Sequence, residues 1–262
     1  MSNGQAAPST PVLTITDGQA RVCLNRPDQH NRLEPADLEA LVEIFDRVAA
    51  DDACRVLIIT GKGRSFSSGF HIGALADSKS GSQDYDPNAF ERMVNRLEDL
   101  RVPTIAALNG GVYGGATDMA LACDFRIGVE GMRMFMPAAK LGIVYYEGGL
   151  RRYVTRLGLD NAKRLFLTAA ATEAEDLLRM GFVTELVSPD KLDETVDALA
   201  MQIVGNAPMA VAALKAALNN VAAGNLDPEA HAAERTRCAS SQDHREAVAA
   251  WQEKRQPVFV GR

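Results

Sequence analysis

Cysteine is scarce and scattered: Cys23, Cys54, Cys123 and Cys238 are the four among 262 residues, and no two of them form a CxxC pair. Metal-ligand spacing is therefore absent, and a disulfide framework is not expected in a chain of this size. The four read as free thiols in a reducing, cytoplasmic setting. Positive charge is in deficit, with 28 basic against 34 acidic side chains and a net charge of −6. That balance argues against a nucleic-acid partner held by bulk electrostatics. Residues 1–10 carry no basic n-region and no apolar h-region, so no secretory signal is expected. The uncharged stretch Val102–Thr117 contains Gly110, Gly111, Gly114 and Gly115 and is too short for a bilayer span, so no membrane role is expected. No internal repeat or low-complexity tract is present.

What remains is an ordinary globular composition, 47% hydrophobic and 24% charged. Val12–Thr16 and Ala20–Leu24 read as short strands joined at Asp17-Gly18. A helix begins near Pro35, a residue suited to a first helical position, and carries Leu38, Leu41, Phe45 and Val48 at helical spacing. Arg55–Thr60, Thr104–Leu108 and Asp124–Val129 read as buried strands. A second helix spans about Asp86 to Leu100, and a third of two turns ends at Ala122. Strands alternating with helices over short links predict an α/β core with a largely parallel sheet. Beyond Gly148 only Val183–Val187 reads as a strand, and helical periodicity dominates from Asp190 to Arg255. The expected organisation is a flexible N-terminal lead over 1–10, an α/β core over 11–190 and a helical C-terminal region over 191–262.

Two glycine-bearing turns follow core strands: Gly63–Ile72 and Asn109–Asp118. Neither is a phosphate loop, since GK[ST] and the GxGxxG order are both missing. On the bland reading they are tight turns. On the functional reading, turns at the ends of neighbouring strands leave backbone N–H groups free, and glycine lets a ligand approach. Two such groups aimed at one point make an oxyanion hole, to which a helix N-terminus adds positive potential.

Four segments in this order resemble the enoyl-CoA hydratase/isomerase (crotonase) superfamily: LNRPDQHNRL (24–33), VLIITGKGRSFSSGFHI (56–72), ALNGGVYGGATDMALACDFRIG (107–128) and WQEKRQPVFVGR (251–262). The resemblance implies a crotonase-like core of stacked ββα turns with a helical C-terminal trimerisation region, assembled as a homotrimer or a dimer of trimers. It implies an acyl-CoA thioester substrate and no cofactor or metal beyond the coenzyme A moiety itself. By position, the thioester oxygen falls to the backbone N–H groups of Phe70 and Gly115. The family's hydratases use two glutamates. The first maps to Asp118, one methylene shorter, and the second maps to Ala138, which carries no carboxylate. Division of labour between two carboxylates is then lost, because one is wanted to activate water and the other to supply a proton. Glu147 and Tyr145, in the loop that lies along the family's acyl pocket, are the candidates to replace the missing group. On the bland reading Tyr145 and Tyr146 only line the pocket, and Glu147 pairs with Arg151 or Arg152.

His71 stands where relatives often carry aspartate. A lone histidine there is more often a structural hydrogen-bonder than a base. Coenzyme A contacts map to Ser68, His71 and Ile72 in the first turn, and to Arg26, His30, Arg32 and Lys254 for the phosphates. The expected activity is hydratase or double-bond isomerase chemistry on an enoyl-CoA. The alternatives are decarboxylation or C–C hydrolysis on the same hole, or a non-catalytic acyl-CoA-binding scaffold.

Overall fold

The computed structural model describes residues 10–71 and 86–262, so most of the N-terminal lead and the candidate Ile72 lie outside the described residues. Strands β1 (Val12–Thr16) and β2 (Gln19–Leu24) form an antiparallel hairpin, with Thr16 opposite Gln19. β3 (Val56–Gly61) pairs parallel with β2 and with β5 (Thr104–Leu108), which pairs in turn with β7 (Phe125–Val129) and then β10 (Glu185–Val187). The resulting sheet has the order β1-β2-β3-β5-β7-β10. Its inner strands VLIITG and TIAAL are apolar nearly throughout because both faces are covered, which removes the in-out alternation visible in β2.

A second sheet of four strands, β4 (Ser65–Ser67), β6 (Gly111–Tyr113), β8 (Arg133–Phe135) and β9 (Thr172–Glu173), lies in that order, with β9 antiparallel. Three strands of the first sheet, β3, β5 and β7, each hand the chain to a short strand of the second, β4, β6 and β8, and a helix comes after each pair. These are α2 (Ala89–Glu98), α3 (Gly115–Ala122) and α4 (Glu147–Leu157), after the earlier α1 (Pro35–Ala50). This is the stacked ββα core. Sequence patterning does not reveal the second sheet, since strands of two or three residues are too short to express a period of two. The stretch 111–113, read above as turn, is one of them.

The N-terminus of α1 shows how firmly the first turn is held. Pro35 occupies the opening helical position, and Asp37 accepts the Glu34 N–H at 2.9 Å. Leu38, Leu41, Phe45 and Val48 are then buried in the core. After α5 (Leu159–Thr168) and α6 (Ala174–Arg179), the chain ends in four helices: α7 (Leu192–Val204), α8 (Pro208–Ala223), α9 (Pro228–Ala239) and α10 (Gln242–Glu253). Among the described residues no single helix is long and apolar enough to cross a membrane.

α8 leaves Leu214, Leu218 and Val221 exposed, and Lys215 is its buried residue. The Lys215 Nζ donates to the Val102 carbonyl at 2.9 Å and meets Asp124 Oδ2 at 2.8 Å. Asp124 also accepts the Thr104 N–H at 2.7 Å and so clamps the start of β5. One ammonium therefore ties the helical region to the sheet. Lys215→Met is expected to cost about 2 kcal/mol, the scale of losing a charged hydrogen bond. Urea unfolding checks this, and an unchanged midpoint would contradict it.

Candidate active site

β4 and β6 are parallel neighbours, with Ser65 opposite Gly111, so the turns that follow them emerge side by side at one end of the second sheet. The first is Ser68-Gly69-Phe70 and the second is Tyr113-Gly114-Gly115. Gly69 has φ +83°, and a Cβ there would stand 2.6 Å from the Tyr113 carbonyl oxygen and 2.8 Å from the Gly115 nitrogen. Only glycine permits that approach. Phe70 forms a parallel bridge with Leu33, in which the Leu33 N–H donates to Gly69 and the His71 N–H donates back to Leu33. In such a bridge the bonds to Leu33 run through Phe70's neighbours, so the Phe70 N–H faces the other way. It has no backbone acceptor among the described residues. Gly115 opens α3, so its N–H has no acceptor within the helix and carries the positive end of the helix dipole.

The two turns border a cavity of about 470 Å³. Its walls include Phe70, Phe90, Phe135, Tyr145, Tyr146 and Ala138. The rings form a continuous belt: Phe70 to Phe90 at 6.0 Å between centroids, Phe90 to Tyr146 at 6.4 Å, and Tyr145 stacked on Tyr146 at 4.4 Å. An apolar slot with a few fixed polar groups at one end suits an acyl chain entering beside a polarised carbonyl.

Asp118, on the first turn of α3, lies behind that wall and is fully buried. It does not cap the helix. Arg152 Nε donates to Asp118 Oδ1 and Arg152 Nη2 to Oδ2, both at 2.8 Å, and the Tyr146 hydroxyl also donates to Oδ2. Arg152, itself fully buried, uses Nη1 to reach Asn95 Oδ1 and Glu98 Oε2, both at 2.9 Å. Arg151 pairs with Glu98 from the outside. Three elements, α2, α3 and α4, are locked by this one network. Burial and the Asp118 charge, with its hydrogen bond, push the Tyr146 phenol far above its ordinary range, so it stays protonated.

The remaining candidates are distributed unevenly. Ser68 lines the cavity, with its hydroxyl given to the Gln29 carbonyl at 3.3 Å. Tyr145 presents its ring to the cavity, while its hydroxyl is buried without a hydrogen-bond partner among the described residues. His71 and Arg32 both meet Glu34, at 3.0 Å and 2.7 Å, on the outer side of the first turn. His30 bridges Ser65 at 2.8 Å and Arg64 at 3.0 Å. Arg26 is spent on Asp37. Lys254 caps α10 in a left-handed conformation, at the far end of the chain. Glu147 is exposed as the first residue of α4 and is absent from the cavity wall. It does not take Arg151 or Arg152, which serve Glu98 and Asp118 instead.

Sequence reading missed the Tyr146 hydroxyl link, Arg152 with Glu98, and Glu91, a carboxylate on the cavity wall. A signal existed for Glu98. It stands four residues after Val94 on the apolar face of α2, where a carboxylate requires a buried partner. Burial alone would raise the Glu98 pKa, but the Arg151 hydrogen bond and the charges of Arg152 and Arg151 outweigh it and hold the carboxyl below its ordinary 4.5. A depressed folded-state pKa gives stability that is present above the unfolded value and lost as pH falls through the folded one. Glu98→Gln is therefore expected to be less stable than wild type at pH 7, by about 3 kcal/mol. The gap should close on acidification below about pH 4.5. Urea unfolding across that range tests it, and a gap that stays constant to pH 3 would refute the assignment.

Residues 14–262 match the family described as Enoyl-CoA hydratase/isomerase. A carnitinyl-CoA dehydratase of Salmonella typhi is 37% identical over 206 residues, covering 78% of this chain and 76% of that protein. Among solved structures, an enoyl-CoA hydratase/carnithine racemase from Magnetospirillum magneticum superposes with a TM-score of 0.90 at 26% identity, over 98% of this chain and 97% of that one. The enoyl-CoA hydratase of Bacillus anthracis gives a TM-score of 0.85 at 28% identity, over 97% and 100%.

Proposed function

The chain belongs to the enoyl-CoA hydratase/isomerase (crotonase) family of acyl-CoA-processing enzymes, and from that premise we propose that it moves a proton beside the thioester of an enoyl-CoA, stabilising the enolate in a hole formed by the Phe70 and Gly115 N–H groups. The observation that carries this reading is the contact of the two turns at Gly69, which sets two unspent backbone donors side by side at the mouth of an aromatic-walled cavity. Such donors favour the enolate over the neutral thioester because negative charge on oxygen grows only as the reaction proceeds. Since both are backbone groups, the phenylalanine at 70 costs the hole nothing and shapes the pocket instead.

Double-bond isomerisation is the reaction that fits best. It needs one proton-transfer station used twice, and Asp118 is the carboxylate behind the reacting end of the cavity. Ala138 offers nothing and Glu147 is turned to solvent. A second reading, hydration or dehydration, has Glu91 in its favour. That carboxylate on the cavity wall could protonate a leaving hydroxyl, and the Salmonella relative is named as a dehydratase. Coenzyme A is the sole cofactor moiety in this proposal. Its adenine would lie along Ser68, His71 and Ile72, and its phosphates would lie near His30 and Arg32, with Lys254 as a further contact. Arg26 and Arg32 are the weaker candidates because Asp37 and Glu34 already meet their charges. The exposed Leu214, Leu218 and Val221 of α8 suit burial between copies in a trimer or a dimer of trimers.

Short- and medium-chain enoyl-CoA thioesters incubated in D₂O and followed by mass spectrometry test the reaction. Deuterium uptake without added water is the outcome expected for the isomerase, and addition of a whole water would favour the hydratase. Gly69→Ala should lower turnover by roughly 10²–10³-fold by forcing the turns apart, the scale of losing one oxyanion donor. A variant that folds and turns over at the wild-type rate would overturn the hole.

A further inference from the structure

We propose that Tyr146 is the residue that takes and returns the substrate proton, with Asp118 acting through it as a positioning carboxylate. The inference rests on the acyl-CoA reading above and names the group that does its proton transfer. Asp118 is fully buried and is not part of the cavity wall. Arg152 takes both of its oxygens and Tyr146 donates to one of them. The Tyr146 ring does line the cavity. Among the described residues, Tyr146 is therefore the hydrogen-bond partner of Asp118 that also lines the cavity, and its side chain connects the two. The Asp118 carboxylate is set back from the cavity wall, and the tyrosine hydroxyl is bonded to it.

The step balances without a further reactant. The C–H bond beside the thioester breaks, and its electron pair passes into the enolate, whose oxygen sits between the Phe70 and Gly115 N–H groups. The proton joins the Tyr146 oxygen as the phenol's own proton crosses the existing hydrogen bond to Asp118 Oδ2. Reversal with delivery to a different carbon moves the double bond. A phenol that already donates to a carboxylate is a stronger acceptor than a free one, because its proton departs as the new one arrives. Arg152 remains paired with Glu98 after Asp118 is protonated, so the buried guanidinium keeps a counter-charge throughout. The high Tyr146 pKa has a supporting role: the phenol always has a proton to hand on.

The test uses butyryl-CoA, which can exchange its α-proton but cannot isomerise. Binding is measured by calorimetry and exchange by deuterium uptake. Tyr146→Phe is expected to bind the thioester as wild type does, with exchange lowered by roughly 10²–10³-fold. Asp118→Asn is expected to lower the exchange rate at saturation while leaving KM in place, a split that a purely structural role would not give. On the wild type alone, tritium release from α-tritiated butyryl-CoA should run slower in D₂O than in H₂O, because the tyrosine proton moves in the same step. This measurement does not depend on any variant folding. Wild-type exchange in Tyr146→Phe, or loss of exchange in Glu91→Gln with Tyr146→Phe intact, would overturn the relay and in the second case make Glu91 the base. Binding without exchange in the wild type also overturns the relay but spares the acyl-CoA reading. Failure to bind overturns both.

Discussion

Arg152 is a guanidinium with no exposed surface, enclosed by Asp118 on one edge and by Asn95 and Glu98 on the other. A charge so placed would be prohibitively costly alone, and it is tolerated because two carboxylates and an amide oxygen accept its hydrogen bonds. The consequence reaches beyond stability. Asp118 is three residues along α3 from Gly115, so whatever fixes the carboxylate also fixes the start of that helix and the direction of the Gly115 N–H. The same guanidinium sets α4 and with it Tyr146, and through Glu98 it sets α2, which carries Phe90 and Glu91 to the cavity wall. Pocket shape, the position of the Gly115 N–H and the proposed proton route thus depend on one buried cation.

The second constraint is the approach of two backbones. β4 and β6 run parallel, and their turns meet at Gly69, where any side chain would collide with Tyr113 and Gly115. Parallel pairing delivers both turns to one end of the sheet, and glycine lets them close. Gly115 is subject to the same limit from the other direction, since a Cβ there would lie 2.6 Å from the Phe90 ring. Donors held in this way would require no rearrangement for an oxygen bound between them to take on charge, which is the condition for electrostatic stabilisation to lower a barrier.

How much of this was legible in the sequence follows from distance along the chain. The buried strands Val56–Gly61 and Thr104–Leu108 announce themselves as apolar runs between turn residues, and α1 and α2 through the spacing of their leucines and valines. The second sheet was not legible, because Ser65–Ser67 and Gly111–Tyr113 are three residues long and resemble the turns they lead into. The two glycine turns and their pairing were legible through local motifs. The environment of Asp118 was not. Its partner Arg152 is 34 residues away, and the choice between a capping, a catalytic and an ion-paired aspartate is made by tertiary packing. Glu147 and Tyr146 illustrate the same point in opposite senses. The two are adjacent at the start of α4, yet the carboxylate faces solvent while the tyrosine lines the cavity and gives its hydroxyl to Asp118, and nothing in the loop sequence fixes which residue does which.

Where the thioester oxygen binds decides whether the two N–H groups form an oxyanion hole. A crystal structure with a β-ketoacyl-CoA, whose enolate forms in mildly alkaline water, measures this directly. The expected result is the thioester oxygen about 3 Å from both the Phe70 and the Gly115 nitrogens, with the adjoining carbon facing the Tyr146 hydroxyl. A thioester oxygen bound elsewhere in the cavity, or within reach of only one of the two nitrogens, would contradict it.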